Sequence, residues 1–200
     1  MDINKLTRTA GNLDPLAKVG AALTKAAAIV SLIFAALVFL LGENILSDIS
    51  LNLNLGFLKI YLADAYYGLS PALKLYMAVT LTSASLVCWI LGYGLSLVRK
   101  VLDPMKQGRP FEAQIPGVLR KIAWLVIIGG TVTEALGVIN KALTMKAFPM
   151  EEIFTSPAVD HIETVMTFDL NYVILGCVIL FLSYVFQYGR MLQVESDETL

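Results

Sequence analysis

The 200-residue chain carries 15 basic and 16 acidic residues, a formal charge of −1, and direct binding to nucleic acid is not expected of it. Hydrophobic residues make up 57% of the sequence and charged ones 16%, with a mean hydropathy of +0.72, against about a quarter charged in soluble domains. A soluble globular domain is excluded, and the length suits one compact all-α membrane unit over residues 1–200.

In chain order, Asp14-Pro15 reads as a helix start, with Asp as cap and Pro at the first helical position. Ala17, Ala21, Ala28 and Ala35 then recur at steps of four and seven, placing small residues where a neighbouring helix can approach. Seventeen uncharged residues lie between Lys25 and Glu43, 24 between Lys74 and Arg99, and 20 between Asp169 and Arg190. A fourth apolar run, Ile122 to Asn140, is broken only by Glu134. A bilayer core needs roughly 20 such residues, so four spans are expected, over about 17–42, 72–98, 118–144 and 168–190. Some 25 residues precede the first run and no Ala-x-Ala site follows it, so it reads as a retained anchor rather than a signal peptide.

The loop 43–71 contains Ile49, Leu51, Leu53 and Leu55 alternating with Ser50, Asn52 and Asn54, a strand period followed by Gly56 and the β-formers Phe57 to Leu62. A short β-hairpin is expected there. In the loop 145–167, Ser156-Pro157 suits the start of a short helix bearing Val159, Ile162 and Met166. Together the two loops predict a small extracytoplasmic cap.

Basic residues fix the expected orientation. Lys5, Arg8, Lys18 and Lys25 precede the first span, Arg99, Lys100, Lys106, Arg109, Arg120 and Lys121 flank the loop 99–117, and Arg190 follows the last span. Only Lys59, Lys74, Lys141 and Lys146 lie on the other side. The positive-inside rule puts both termini and the 99–117 loop in the cytoplasm, with bilayer lipids as neighbours.

Few residues suggest chemistry. Glu134 lies 13 positions beyond Lys121, roughly 20 Å into its span. A carboxylate at that depth is costly and faces the protein interior or a wet cavity. Thr131, Thr133, Asn140, Thr80, Thr82, Ser83 and Ser85 are candidate donors to it. Glu134, Asn140, Thr133 and Ser83 therefore make up the candidate intramembrane polar site, either a ligand, ion or proton site or a neutral acid bonded between helices. His161, flanked by Asp160 and Glu163, is the only histidine and too isolated for a metal site. Cys88 and Cys177 fall within apolar runs, which argues against a disulfide framework. No His-Glu-x-x-His, Gly-x-Ser-x-Gly, Walker glycine loop or Cys-x-x-Cys occurs, so neither enzymatic activity nor a cofactor is expected.

Two further stretches carry a resemblance. Gly108-Arg109-Pro110-Phe111 with Leu119-Arg120-Lys121-Ile122-Ala123, and the ending from Phe186 through Gly189, Leu192, Glu195, Asp197 and Thr199 to Leu200, resemble the bacterial family called domain of unknown function 2975. Gln114-Ile115-Pro116 stands where that family usually carries an Asn. The resemblance implies a four-span protein of the bacterial cytoplasmic membrane. Such proteins are often found beside small helix-turn-helix regulators, which implies a membrane partner that holds or modulates one. Pro110, Phe111, Arg120, Phe186, Gly189, Leu192, Glu195, Asp197 and Thr199 are the candidate interaction motif. The same residues also suit self-packing, with Leu192 and Leu200 beneath Phe111. The expected role is regulatory protein–protein interaction, with a homo-oligomer as a further option. The alternative is small-molecule, lipid or ion binding, transport or immunity, built on Glu134 and the cap.

Overall fold

The computed structural model describes residues 3–45, 52–54, 59–61, 71–148 and 169–198. Its architecture is all-α, built on four long helices: α1 (Ile3–Ile45), α2 (Pro71–Lys106), α3 (Ile115–Ala147) and α4 (Asn171–Glu198). At about 1.5 Å per residue the shortest, with 28 residues, is roughly 42 Å long, against a hydrocarbon core of about 30 Å. Each contains a segment long and apolar enough to cross a membrane. Their large apolar side chains point outward in number, including Leu32, Ile33, Phe34 and Leu40 on α1 and Ile174, Leu175 and Phe181 on α4. Water would not tolerate so continuous an apolar surface, whereas lipid solvates it. This is a multi-pass membrane protein.

Between α1 and α2 the backbones of β1 (Asn52–Asn54) and β2 (Lys59–Tyr61) pair antiparallel, with Leu53 opposite Ile60. The remainder of 46–70, and 149–168 with the expected Ser156-Pro157 helix and His161, lie outside the described residues. Three residue pairs do not make a cap, and the expected cap lies outside the described residues.

The chain forms two compact units. One comprises Met1–Ala28, Leu86–Ala135 and Thr167–Leu200; the other comprises Ile29–Ser85 and Leu136–Met166. In the first, small residues set how closely the helices approach. A Cβ on Gly92 of α2 would lie 2.7 Å from Thr24 Oγ1 and 3.5 Å from the Ala21 carbonyl oxygen of α1. On α4, Gly176 faces α3, where a Cβ would overlap Ile127 and lie 3.2 Å from the Ala123 carbonyl oxygen. Along α1, Ala10, Ala17, Ala21, Ala28 and Ala35 are all buried, so the recurring alanines do form a packed face. In the second unit Tyr76 meets Phe148 edge to face, with ring centroids 5.7 Å apart.

The expected helix start at Asp14-Pro15 is corrected. Helix α1 begins at Ile3 and runs through Pro15. Proline removes one backbone donor from a helix, a cost that packing on either side can offset. Ala10 and Ala17, five residues before Pro15 and two after it, are buried with Leu102, and Met105 packs against them.

Helix α2 ends in a Schellman arrangement. The Arg109 N–H donates to the Pro104 carbonyl and the Gly108 N–H to that of Met105, while Gly108 takes a φ of 73°. A left-handed residue at that point favours glycine, and Pro110 then prevents the helix from resuming. Helix α3 opens with the Gln114 carbonyl accepting from Val118 N–H, and Pro116 in the first turn sacrifices no hydrogen bond.

Gly176→Ala is expected to lower stability by about 1–3 kcal/mol through overpacking. Gly137, with open space around its Cβ position, is the control: Gly137→Ala should leave stability unchanged or raise it by up to about 1 kcal/mol. Thermal unfolding of both variants in detergent measures the difference.

Candidate functional site

The turn after Gly108 delivers Phe111 onto α4. Its ring lies 5.8 Å from that of Phe186, centroid to centroid, at an interplanar angle of 44°. A Cβ on Gly189 would come within 2.8 Å of Phe111 Cε1, so glycine leaves the space that this ring occupies. One turn and more upstream, fully buried Ser183 donates to the Pro116 carbonyl oxygen at 2.8 Å. The Arg120 guanidinium lies 5.6 Å above the Tyr184 ring, within cation–π range. Beneath these contacts Leu97, Val101, Ile115 and Val118 form a buried cluster, against which Phe186 packs.

Pro110, Phe111, Arg120, Phe186 and Gly189 are thus gathered at one end of the first unit, where the α2–α3 connection meets α4. Leu192, three residues beyond Gly189, is 48% exposed. Glu195 and Asp197 belong to the last turns of α4, and Thr199 and Leu200 lie outside the described residues. Ser183 and Tyr184 were not singled out from sequence. A lone Ser-Tyr in an apolar run carries no signal of a partner that lies 67 residues away for Ser183.

A second cluster at this end also escaped the sequence reading. Asp14 Oδ1 accepts from Arg99 Nε at 3.0 Å, and its Oδ2 lies 2.9 Å from Lys106 Nζ, which also reaches Asp103 at 2.7 Å. Asp14 therefore ties α1 to α2 instead of capping α1. Only the Asp103–Lys106 spacing, three apart on a helix, was legible in advance. The group lies beyond the uncharged runs 26–42 and 75–98, outside the spans. Hydrogen bonds from Lys106 and then Arg99 hold the Asp14 carboxyl below its ordinary range. Asp103 and then Asp14 hold the Lys106 ammonium above its own.

The candidate intramembrane polar residues fall in both units: Thr133 and Glu134 in the first, Ser83 and Asn140 in the second. The hydroxyls of Thr131, Thr133, Thr82 and Ser83 donate to the carbonyls of Ile127, Gly129, Ala78 and Val79, each four residues back on its own helix. Lipid makes this the nearest available acceptor. In the second unit Thr80 Oγ1 lies 3.5 Å from Asn140 Oδ1, at the limit of a hydrogen bond. In the first unit Glu134 is partly exposed, and its carboxyl has no hydrogen-bond or ion-pair partner among the described residues. Glu134 instead borders a groove of about 540 Å³ in that unit, lined by apolar residues of α2 and α3, with Thr133 and Tyr172 beside it. Among the described residues no three His, Cys, Asp or Glu side chains gather as metal ligands, and Cys88 and Cys177 are free thiols.

Four bilayer-length helices, with a loop clamped onto the last of them, define a multi-pass membrane protein of the loop-and-tail kind that the two motifs mark. The chain belongs to the family described as proteins of unknown function (DUF2975), whose profile matches residues 59–200 and so takes in both motifs. No curated protein and no solved structure matches it.

The signs of the two shifts set a pH dependence for the ion cluster. Stability from Asp14 is present above the ordinary carboxylate range and is lost as pH falls through its lowered folded value. Stability from Lys106 is present below its ordinary value and is lost as pH rises through its raised folded value. Wild-type Tm in low salt should therefore exceed that of Asp14→Asn at neutral pH. The gap should close as the buffer is taken below about pH 4.

Proposed function

We propose that this is a non-enzymatic protein of the bacterial cytoplasmic membrane, with both termini inside, that holds a cytoplasmic helix-turn-helix transcription regulator on the projecting end of α4. The observation that carries this reading is the meeting of the two family motifs. Phe111 lies on Phe186 and Gly189, which braces α4 at the point where it outruns the bilayer. From Asn171, about 20 residues suffice to cross the hydrocarbon, so the turns after Arg190 stand clear of it. Those turns carry exposed Met191, Leu192 and Val194 beside Glu195 and Glu198. An apolar strip edged with carboxylates complements a DNA-binding protein, whose surface is basic.

The distribution of Lys and Arg supports the orientation, and the same end bears Arg99, Lys106, Arg120 and Lys121 for contact with anionic headgroups. Self-association through lipid-facing helix surfaces is compatible with this reading.

Crosslinking in native membranes, followed by affinity purification and mass spectrometry, tests the reading on two chains: the intact protein and one ending at Gly189. A DNA-binding regulator should be recovered with the intact chain and lost with the shortened one, while both insert into membranes. Equal recovery from the two, or recovery of only the protein itself and lipids, would overturn it.

A further inference from the structure

We propose that the groove beside Glu134 binds an amphiphilic monocation, a drug-sized molecule with an apolar body and one ammonium-like or phosphonium-like charge. The proposal is independent of the role given to the α4 tail.

The groove lies between α2 and α3 within the first unit, lined from Val87 to Val98 on one helix and from Ile122 to Glu134 on the other. The twelve steps from Ile122 to Glu134 make it roughly 18 Å long. Its volume of about 540 Å³ falls within the range of pockets that enclose drug-sized ligands. Its walls are apolar, among them Ile90, Leu91, Leu125 and Val126, and Gly94 and Gly129 keep the floor low. Such walls select an apolar body and nothing more specific.

The end at Glu134 supplies the specificity. Among the described residues its carboxylate is the one acidic group lining the groove, and no described Lys, Arg or His lines it. No described cation or donor engages it, and the neighbouring Thr133 hydroxyl is committed to the Gly129 carbonyl. Tyr172 lines the same end, its ring seated against Gly130. A carboxylate and an aromatic ring lining one end of an apolar groove are the groups that stabilise an organic cation, through charge and ring quadrupole. An ionised carboxylate at this depth is costly, and a ligand cation beside it offsets that cost. A phospholipid is a poorer fit, because its phosphate would find no basic side chain in the groove. An anionic amphiphile is poorer still.

The test uses the full chain purified in a neutral maltoside detergent, with labelled tetraphenylphosphonium as probe in equilibrium dialysis. Tetraphenylborate, of the same shape and opposite charge, is measured separately. Saturable binding of the phosphonium and none of the borate is expected. Glu134→Gln should weaken phosphonium binding about tenfold or more, with Glu134→Asp retaining part of it. Leu91→Trp, which fills the groove and leaves Glu134 in place, should also weaken it. Circular dichroism and monodisperse elution establish that each variant is folded, and if Glu134→Gln is not, Glu134→Asp and Leu91→Trp decide. Absence of saturable phosphonium binding, or undiminished binding in Leu91→Trp or in folded Glu134→Gln, would overturn the proposal. So would borate binding as tight as that of phosphonium, or a co-purified phospholipid released by Leu91→Trp and retained by Glu134→Gln.

Discussion

Lipid offers the backbone no hydrogen-bond partner, and most of what is seen here follows from that. A chain that must satisfy its own N–H and C=O groups while crossing a bilayer becomes helical. Its hydroxyls turn inward to the same helix for the same reason, as Ser83, Thr131 and Thr133 do. Helix association then cannot draw on the hydrophobic effect, since lipid tails are as apolar as Leu. It depends on close approach at residues without bulk. The buried alanines of α1, Gly92 against Ala21 and Gly176 against Ala123 are that approach, and the large side chains are left to face lipid.

This division explains what could be read in advance. Long uncharged runs announce spans because the bilayer acts on every residue in a window, so the signal accumulates along the sequence. The alanine period was legible for a related reason: it repeats over several turns. Asp14 shows where such reading fails. Asp-Pro is a strong local sign of a helix start, yet α1 passes through it, because Ala10 and Ala17 pack on either side and the carboxylate takes Arg99 and Lys106 from α2. Local propensity lost to contacts some 85 residues distant. Ser183 on Pro116 and Arg120 over Tyr184 are single long-range contacts of the same kind, with no period to betray them.

The loop-and-tail motifs fall between these cases. Gly108 and Pro110 could be read as a helix stop from chemistry alone, and the structure supplies the consequence. Stopping α2 there, with Gly108 left-handed, aims Phe111 at α4. Gly189 then matters for the space it leaves rather than for the backbone freedom it has. The two motifs are therefore one mechanical feature divided by 74 intervening positions, from Phe111 to Phe186. On the function proposed above, it marks where α4 leaves the membrane, so any role for the turns beyond Arg190 depends on it.

Asp14 and Glu134 make an instructive pair. Both are carboxylates on helices of the first unit. Asp14 sits beyond the spans and is held by two cations, a contact that water and salt screen and that serves to join helices. Glu134 sits within a span, where screening is weak, with an open groove before it and no described partner. If the purpose of Glu134 were to join helices, a donor from a neighbouring helix would be expected on it, and Thr133 one position away is already committed elsewhere. An acid placed at the one polar end of an apolar groove is instead poorly matched to a structural role. On the inference drawn above, that position serves a cation that arrives from outside the chain.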